Sequence, residues 1–201
     1  MNKITILLLL IGSAVLVIAF NRYEPVEKSI DTPWTVEHSK NNEIQVLGIT
    51  LGKSQLNDVN KHFSKQGKSY IVKNADQTLS LISVFEGVTI DRLIANVEIT
   101  YTLPQTDLLS VLKETPQNLE KIQLTNKQLT RLSNASADRL TYYPSINYNE
   151  DIVLQHFGYP DNKKIINQDQ QRWTYRDMHL EFYLNENSAD KLVYTAKIPS
   201  T

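Results

Sequence analysis

Four histidines are the side chains of this sequence best suited to proton transfer or metal binding near neutral pH. They are His38, His62, His156 and His179. No two of them lie at the short spacing with which neighbouring ligands reach one metal ion. The chain also has no cysteine, which excludes thiolate metal sites, cysteine nucleophiles and disulfides. The sequence therefore predicts no metal site.

His179 and Glu181 form a pair with suitable chemistry for acid and base catalysis. Residues two apart in a strand lie on the same face, so the imidazole and the carboxylate would be neighbours. No nucleophile elbow, glycine-rich phosphate loop or paired-carboxylate motif accompanies them. We interpret the pair as part of a solvent-exposed strand face. The sequence thus predicts no catalytic residue, no cofactor and no enzyme activity.

Aromatic side chains near the end of the sequence suggest a protein-binding surface. They are Trp173, Tyr175, Tyr183 and Tyr194, all on segments with strand-like alternation. Helices cover only one face of such a sheet, and aromatic side chains on the other face are typical of protein-binding surfaces. The alternative interpretation is that Trp173 and Tyr194 fill the hydrophobic core. The pattern is compatible with both.

A short helix is predicted directly after Asn149, whose side chain can accept a hydrogen bond from a free amide of the first turn. Gly158 can adopt the left-handed conformation that ends a helix, and Pro160 cannot continue one. The apolar stripe expected to be buried is Ile152, Val153 and Phe157.

Three strands are predicted after this helix, because the apolar period changes from helical to two. The first contains Trp173 and Tyr175, and a tight turn at Arg176 and Asp177 leads to the second. The second strand, residues 178–184, has Met178, Leu180, Phe182 and Leu184 on its inner face. A polar loop, residues 185–190, precedes the last strand, whose expected inward residues are Leu192, Tyr194, Ala196 and Ile198.

An earlier segment repeats this order of one helix followed by strands. It opens with Leu47-Gly-Ile-Thr-Leu-Gly52, after which Ser54 is the expected helix cap and Gly67 the expected helix end. The helix should bury Leu56, Val59 and Phe63, and strands are predicted at residues 69–73, 79–85 and 93–103. The pairs His62-Phe63 and His156-Phe157 align the two helices, which indicates an internal repeat.

The closing motif resembles the SmpA/OmlA repeat. The residues that carry the resemblance are His156-Phe-Gly-Tyr-Pro-Asp161, Trp173-Thr-Tyr175, Leu192 and Tyr194. That repeat is known from the BamE subunit of the outer-membrane barrel-assembly machinery, and a similar tandem fold occurs in proteinaceous inhibitors of β-lactamase. The whole layout also looks like a family of gammaproteobacterial membrane-anchored envelope proteins. BamE is a lipoprotein whereas this chain has no cysteine to carry a lipid, so the resemblance implies a fold and not an assembly role.

Residues 4–20 form an uncharged apolar stretch of 17 residues. As a helix this stretch would be about 25 Å long, at the short end of what spans a bilayer. It is interpreted either as a retained transmembrane anchor, that is, an uncleaved signal, or as a secretory signal cleaved at or near Ala19. The anchor is the favoured interpretation, and in both cases the rest of the chain is expected to be exported.

Together these patterns predict an α+β fold of two tandem BamE-like or β-lactamase-inhibitor-like units. Each unit would be a short helix with a three- to four-stranded antiparallel meander. The expected boundaries are residues 1–20 for the anchor, 21–42 for a linker, 43–104 for the first unit, 105–145 for a helical connector and 146–201 for the second unit.

The expected function is a non-catalytic protein-interaction module, anchored in the inner membrane through residues 4–20 with the bulk of the chain in the periplasm. Its partner would be another envelope protein. A net charge of −1 without a basic block gives no electrostatic footprint for nucleic acid. The alternative is a secreted inhibitor of an envelope enzyme, which requires cleavage of the N-terminal stretch.

Overall fold

A computed structural model of the chain describes residues 32–63, 67–113 and 120–199. The predicted anchor and residues 21–31 of the predicted linker lie outside these ranges. Within them the strands are β1 (Val36–His38), β2 (Ile44–Val46), β3 (Ile49–Thr50), β4 (Lys68–Lys73), β5 (Leu79–Ile90), β6 (Leu93–Thr102), β7 (Lys121–Gln123), β8 (Ser136–Pro144), β9 (Asn162–Asn167), β10 (Gln170–Tyr175), β11 (Leu180–Asn185) and β12 (Lys191–Thr195). The helices are α1 (Leu56–His62), α2 (Gln105–Leu112), α3 (Asn126–Arg131) and α4 (Glu150–Phe157).

Nine of these strands form one antiparallel sheet, in the order β7-β4-β5-β6-β8-β12-β11-β10-β9. The strands β1, β2 and β3 form a separate three-stranded sheet. Because the sheets are antiparallel and no helix connects parallel strands, the fold is α+β, as predicted. The sheet is continuous from the first meander, β4 to β6, to the last one, β9 to β12. Strand β8 joins them, since it pairs with β6 on one side and with β12 on the other.

The hydrophobic core lies on one face of the nine-stranded sheet. In β6, Ala95, Val97 and Ile99 are buried, whereas Asn96 and Glu98 between them are exposed or half-buried. This alternation is that of a half-buried strand, and it lies in the segment 93–103 where a strand is predicted. The helix side chains that join the same core are Leu56 and Val59 of α1, Leu108 and Val111 of α2, and Val153 and Phe157 of α4. These three helices therefore pack against the same face of the sheet.

The helix α4 begins and ends where its local signals predict. Asn149 Oδ1 accepts a hydrogen bond from the backbone N–H of Ile152 at 2.8 Å. Gly158 follows the helix with a positive φ of 74°, which favours glycine. Val153 and Phe157 are buried, but Ile152 is 36% exposed, so its predicted burial is wrong. Successive residues point about 100° apart around a helix, and Val153 takes the position that faces the core.

The caps predicted for α1 are wrong although its buried face is right. The N-cap is Gln55, whereas the hydroxyl of Ser54 accepts a hydrogen bond from the Thr50 N–H at 3.0 Å. The helix ends at His62, so Gly67 does not end it. The first error concerns two neighbouring polar residues, Ser54 and Gln55, which the sequence pattern does not distinguish. Leu56 and Val59 of α1 are buried, and so is Phe63, the residue directly after the helix, as predicted.

Gly67 is instead the residue before β4, where a side chain would collide with the core. A Cβ atom at this position would lie 2.5 Å from the ring of the fully buried Phe85. The strands of this half occur where predicted, except that β5 continues to Ile90 instead of ending at Phe85. The glycine predicted to end a helix therefore makes room for a core aromatic residue.

The turn between β10 and β11 is longer than predicted. It covers residues 176–179 instead of Arg176 and Asp177 alone, and the strand starts at Leu180. His179 closes the turn with φ at 50° and donates its backbone N–H to the carbonyl of Arg176 at 3.0 Å. The last strand ends at Thr195, and Ile198 is 47% exposed, so the inward position predicted for Ile198 is wrong. Ile198 follows the last residue of β12 that pairs with a neighbouring strand, so no strand pairing orients its side chain.

Two segments predicted as connections contain strands. The predicted linker, residues 21–42, includes β1, and the hydroxyl of Tyr194 donates to the carbonyl of Pro33. The ring of Trp34 stacks on His156 with centroids 4.1 Å apart, so residues 32–42 belong to the folded domain and not to a linker. The predicted helical connector, residues 105–145, includes β7 and the central strand β8. In both segments the apolar residues are isolated among polar ones, so the sequence pattern did not predict these strands. The burial of these residues depends on contacts with distant parts of the chain.

Candidate functional site

Three of the four aromatic residues predicted as a binding surface are part of the core. Trp173 and Tyr194 are fully buried, and Tyr175 is 4% exposed. The register explains this, because Trp173 lies opposite Phe182 and Tyr175 lies opposite Leu180 on the helix-covered face. The predicted surface of four aromatics is therefore wrong, and the core interpretation of Trp173 and Tyr194 is right.

Polar contacts within the domain satisfy the hydrogen-bonding groups of Trp173 and Tyr175. The indole N–H of Trp173 donates to Gln171 Oε1 at 3.2 Å, and the Lys163 ammonium lies 3.4 Å from the centre of the indole ring. The hydroxyl of Tyr175 donates to the carbonyl of Gly158 at 3.2 Å, at the end of α4. These side chains therefore hold the closing helix and strands together.

Tyr183 is the exception, since it lies on the opposite face of the sheet and is half-buried. Its hydroxyl donates to Glu181 Oε2 at 3.0 Å, and the other oxygen of Glu181 lies 3.0 Å from Arg172 Nη1. The Lys191 ammonium lies 4.4 Å from the centre of the Tyr183 ring. Burial and the neighbouring Glu181 carboxylate raise the pKa of Tyr183. The tyrosine is thus neutral and fixed in position by charged neighbours.

Side chains from both halves of the sheet surround Tyr183 on this second face. Strand pairing places Glu98 and Val193 on either side of Thr141, and Tyr143 beside Asn96. We call this surface the open face, because the buried residues of α1, α2 and α4 all belong to the core on the other side. Its half-buried side chains include Tyr70, Ile82, Val84, Glu98, Tyr143, Arg172, Glu181, Tyr183, Lys191 and Val193. The open face therefore combines aromatic, aliphatic and charged groups.

The solvent-exposed face predicted for His179 and Glu181 is wrong for the histidine. His179 is 3% exposed, and its Nδ1 lies 3.2 Å from the carbonyl oxygen of Thr195. It belongs to the turn before β11, so strand alternation does not apply to it and it does not share a face with Glu181. The two side chains have separate partners, and their arrangement gives no acid and base pair.

The remaining histidines also make aromatic contacts. The rings of His62 and Phe63 meet edge to face, and His38 meets His179 in the same manner at 6.4 Å between centroids. Within the described ranges, no group of three or more histidine, cysteine, aspartate or glutamate side chains is placed to hold a metal ion.

A buried carboxylate that the sequence patterns did not single out connects two loops. Asp190 is fully buried and accepts hydrogen bonds from the backbone N–H groups of Tyr148 at 2.6 Å and Asn185 at 2.8 Å. Burial raises the pKa of Asp190, and the two hydrogen bonds act in the opposite direction. The sequence feature that could have indicated Asp190 is its position at the end of a polar loop, directly before β12. Asp190 is a structural residue that orients the segment entering α4.

No protein-family model matches the chain, and neither a curated protein nor a solved structure matches it. The part of the chain that the structure describes contains no helix long and apolar enough to cross a membrane. The class that the fold defines is an α+β protein with a mostly antiparallel sheet, covered by helices on one face.

Proposed function

We propose that this chain is a non-catalytic protein-interaction module that binds an envelope protein through the open face of its sheet. The observation that carries the proposal is the position of Tyr143, Tyr183 and Val193, which are half-buried on the face that α1, α2 and α4 do not cover. Tyrosine is enriched among the residues that dominate protein-binding energies, because its ring buries apolar area and its hydroxyl forms a hydrogen bond.

Arg172 supports the same face as a binding surface. Its side chain is 21% exposed, and its Nη1 lies 3.0 Å from Glu181 Oε1. The ion pair holds the guanidinium in position on the open face. A planar guanidinium fixed in this way is suited to recognise a polar group of a protein.

The proposal includes two related units and a membrane anchor. The order of α1 followed by β4, β5 and β6 recurs as α4 followed by β9 to β12, in line with tandem BamE-like units. Phe63 and Phe157, which align in the sequence, are equally buried at the ends of α1 and α4. Residues 4–20 would hold the module at the periplasmic face of the inner membrane, which would keep the open face accessible to envelope proteins.

The interaction is tested by crosslinking in cells and affinity capture of the full chain from membranes. The variant replaces two tyrosines of the open face, Tyr143→Ala and Tyr183→Ala. We expect capture of a specific envelope protein to fall by about tenfold or more, since residues of this kind contribute about 1–2 kcal/mol each or more to binding. Thermal unfolding of both proteins shows whether the variant remains folded.

A matched control is Tyr159→Ala, because Tyr159 is 89% exposed and lies outside the strands. Equal loss in the control, or specific capture that survives the double substitution, would contradict the open face as the binding surface. Recovery of the mature protein without residues 1–20, bound to an envelope enzyme that it inhibits, would favour the secreted inhibitor instead.

A further inference from the structure

A second feature, independent of the open face, is a cavity of about 500 Å³ beside α2. Its apolar lining comes from Ile71 of β4, Leu79 of β5 and Ile122 of β7, with Leu109 and Leu112 of α2. Sites for small ligands have volumes of about 300–1,000 Å³ and mainly apolar walls. The size and lining of this cavity match such a site.

The helix α2 produces the cavity because it uses only part of its apolar surface for the core. Leu108 and Val111 are fully buried against the sheet, whereas Leu109 is 51% exposed and Leu112 is half-buried. The helix lies near the end of the sheet formed by β7 and β4, so the outer side of its apolar surface faces the gap. Apolar area is thus left in contact with water at a concave site, where a ligand would cover it.

The polar residues of the lining indicate the charge of that ligand. Lys73 and Lys113 contribute two ammonium groups, and both side chains are exposed. Thr106 and Ser110 add hydroxyl groups on α2. None of the described residues that line the cavity is acidic. The cavity therefore combines an apolar floor with a positive rim.

We propose that this cavity binds a fatty acid, with the acyl chain against the leucine and isoleucine side chains and the carboxylate at Lys73 and Lys113. The apolar walls account for the chain, because each buried methylene is removed from water. The two lysines account for the acid group, because an ammonium forms charge-assisted hydrogen bonds with a carboxylate. A neutral chain of the same length would lack the second contribution.

The test uses the full chain in membranes with a photoreactive fatty acid of about ten carbons, followed by mass-spectrometric mapping of the adducts. We expect adducts on the peptide that contains Leu109 and Leu112, and competition by excess decanoate at least fivefold stronger than by decanol. Lys73→Gln with Lys113→Gln should reduce this labelling several-fold. Adducts on residues 4–20 are counted separately, because an apolar segment in the membrane collects the probe without a site.

A matched double variant, Lys53→Gln with Lys164→Gln, removes two exposed lysines that do not line the cavity and should leave labelling unchanged. A second variant, Leu109→Glu, places a negative charge at an exposed position of the wall and should abolish the adduct without unfolding the domain. Absence of adducts on α2, equal competition by decanol and decanoate, or labelling that is insensitive to both cavity variants would each overturn the proposal.

Discussion

Replacement of Trp173 by alanine is expected to destabilise the domain by about 3–5 kcal/mol, the range for truncating a large buried aromatic residue. Trp173 is fully buried between the helices and the sheet, opposite Phe182 in the register of β10 and β11. The substitution also removes the hydrogen bond to Gln171 and the ring beneath the Lys163 ammonium. Its effect is therefore on folding and not on a surface.

Urea unfolding followed by circular dichroism measures this effect. The control Tyr159→Ala, at a residue that is 89% exposed, should change the free energy of unfolding by less than about 0.5 kcal/mol. A loss below about 1 kcal/mol for Trp173→Ala would show that the indole is not in the core. Binding experiments should accordingly use open-face tyrosines, because a Trp173 variant loses binding by unfolding whether or not it touches the partner.

Replacement of Asp190 by alanine is the second large change that we expect. The substitution leaves the backbone N–H groups of Tyr148 and Asn185 without the carboxylate that accepts from them. Each buried donor without an acceptor costs about 1–3 kcal/mol of stability. Removal of the carboxylate also removes the unfavourable free energy of burying it, which offsets part of this loss. We expect a net loss of about 1–3 kcal/mol. Glu186→Ala is the matched control, because Glu186 lies in the same loop and is exposed.

The raised pKa of Asp190 also predicts that the effect of the Asp190→Ala substitution on stability depends on pH. The pKa of Asp190 is raised in the folded state, so folding favours its protonated form. The resulting contribution of Asp190 to the stability of the fold is fully present below the unfolded pKa of about 3.9. It is lost as pH rises through the raised pKa of the folded state. The stability difference between wild type and Asp190→Ala should therefore be larger at low pH than at pH 7. A difference that shrinks on acidification would show that the hydrogen bonds to the carboxylate outweigh its burial.

The elements with strong local signals were predictable from the sequence. The helix α4 has its cap at Asn149 and its stop at Gly158, and both signals act through the backbone of a few adjacent residues. The alternation of β6 over Ala95, Val97 and Ile99 specified its buried face in the same local way. These features depend on short-range geometry, which is why the pattern alone was sufficient.

The candidate site could not be predicted from the alternation of apolar and polar residues alone. The period of two shows that Trp173 and Tyr175 share a face, but not that the helices cover this face. His179 left the expected pattern because the turn before β11 is two residues longer than predicted, which moved it out of the strand. The Asp190 contacts and the cavity beside α2 each join segments distant in the sequence, so they followed only from the tertiary structure.

The most direct test of the binding surface is site-specific photo-crosslinking in cells. A photoreactive amino acid is placed at Tyr183 or Tyr143 on the open face, and at Gln155, an exposed residue of α4, on the other side. We expect one adduct of the same mass from both open-face positions and none from Gln155. An adduct from Gln155 alone, or none from any position, would contradict the open face as the surface that binds an envelope protein.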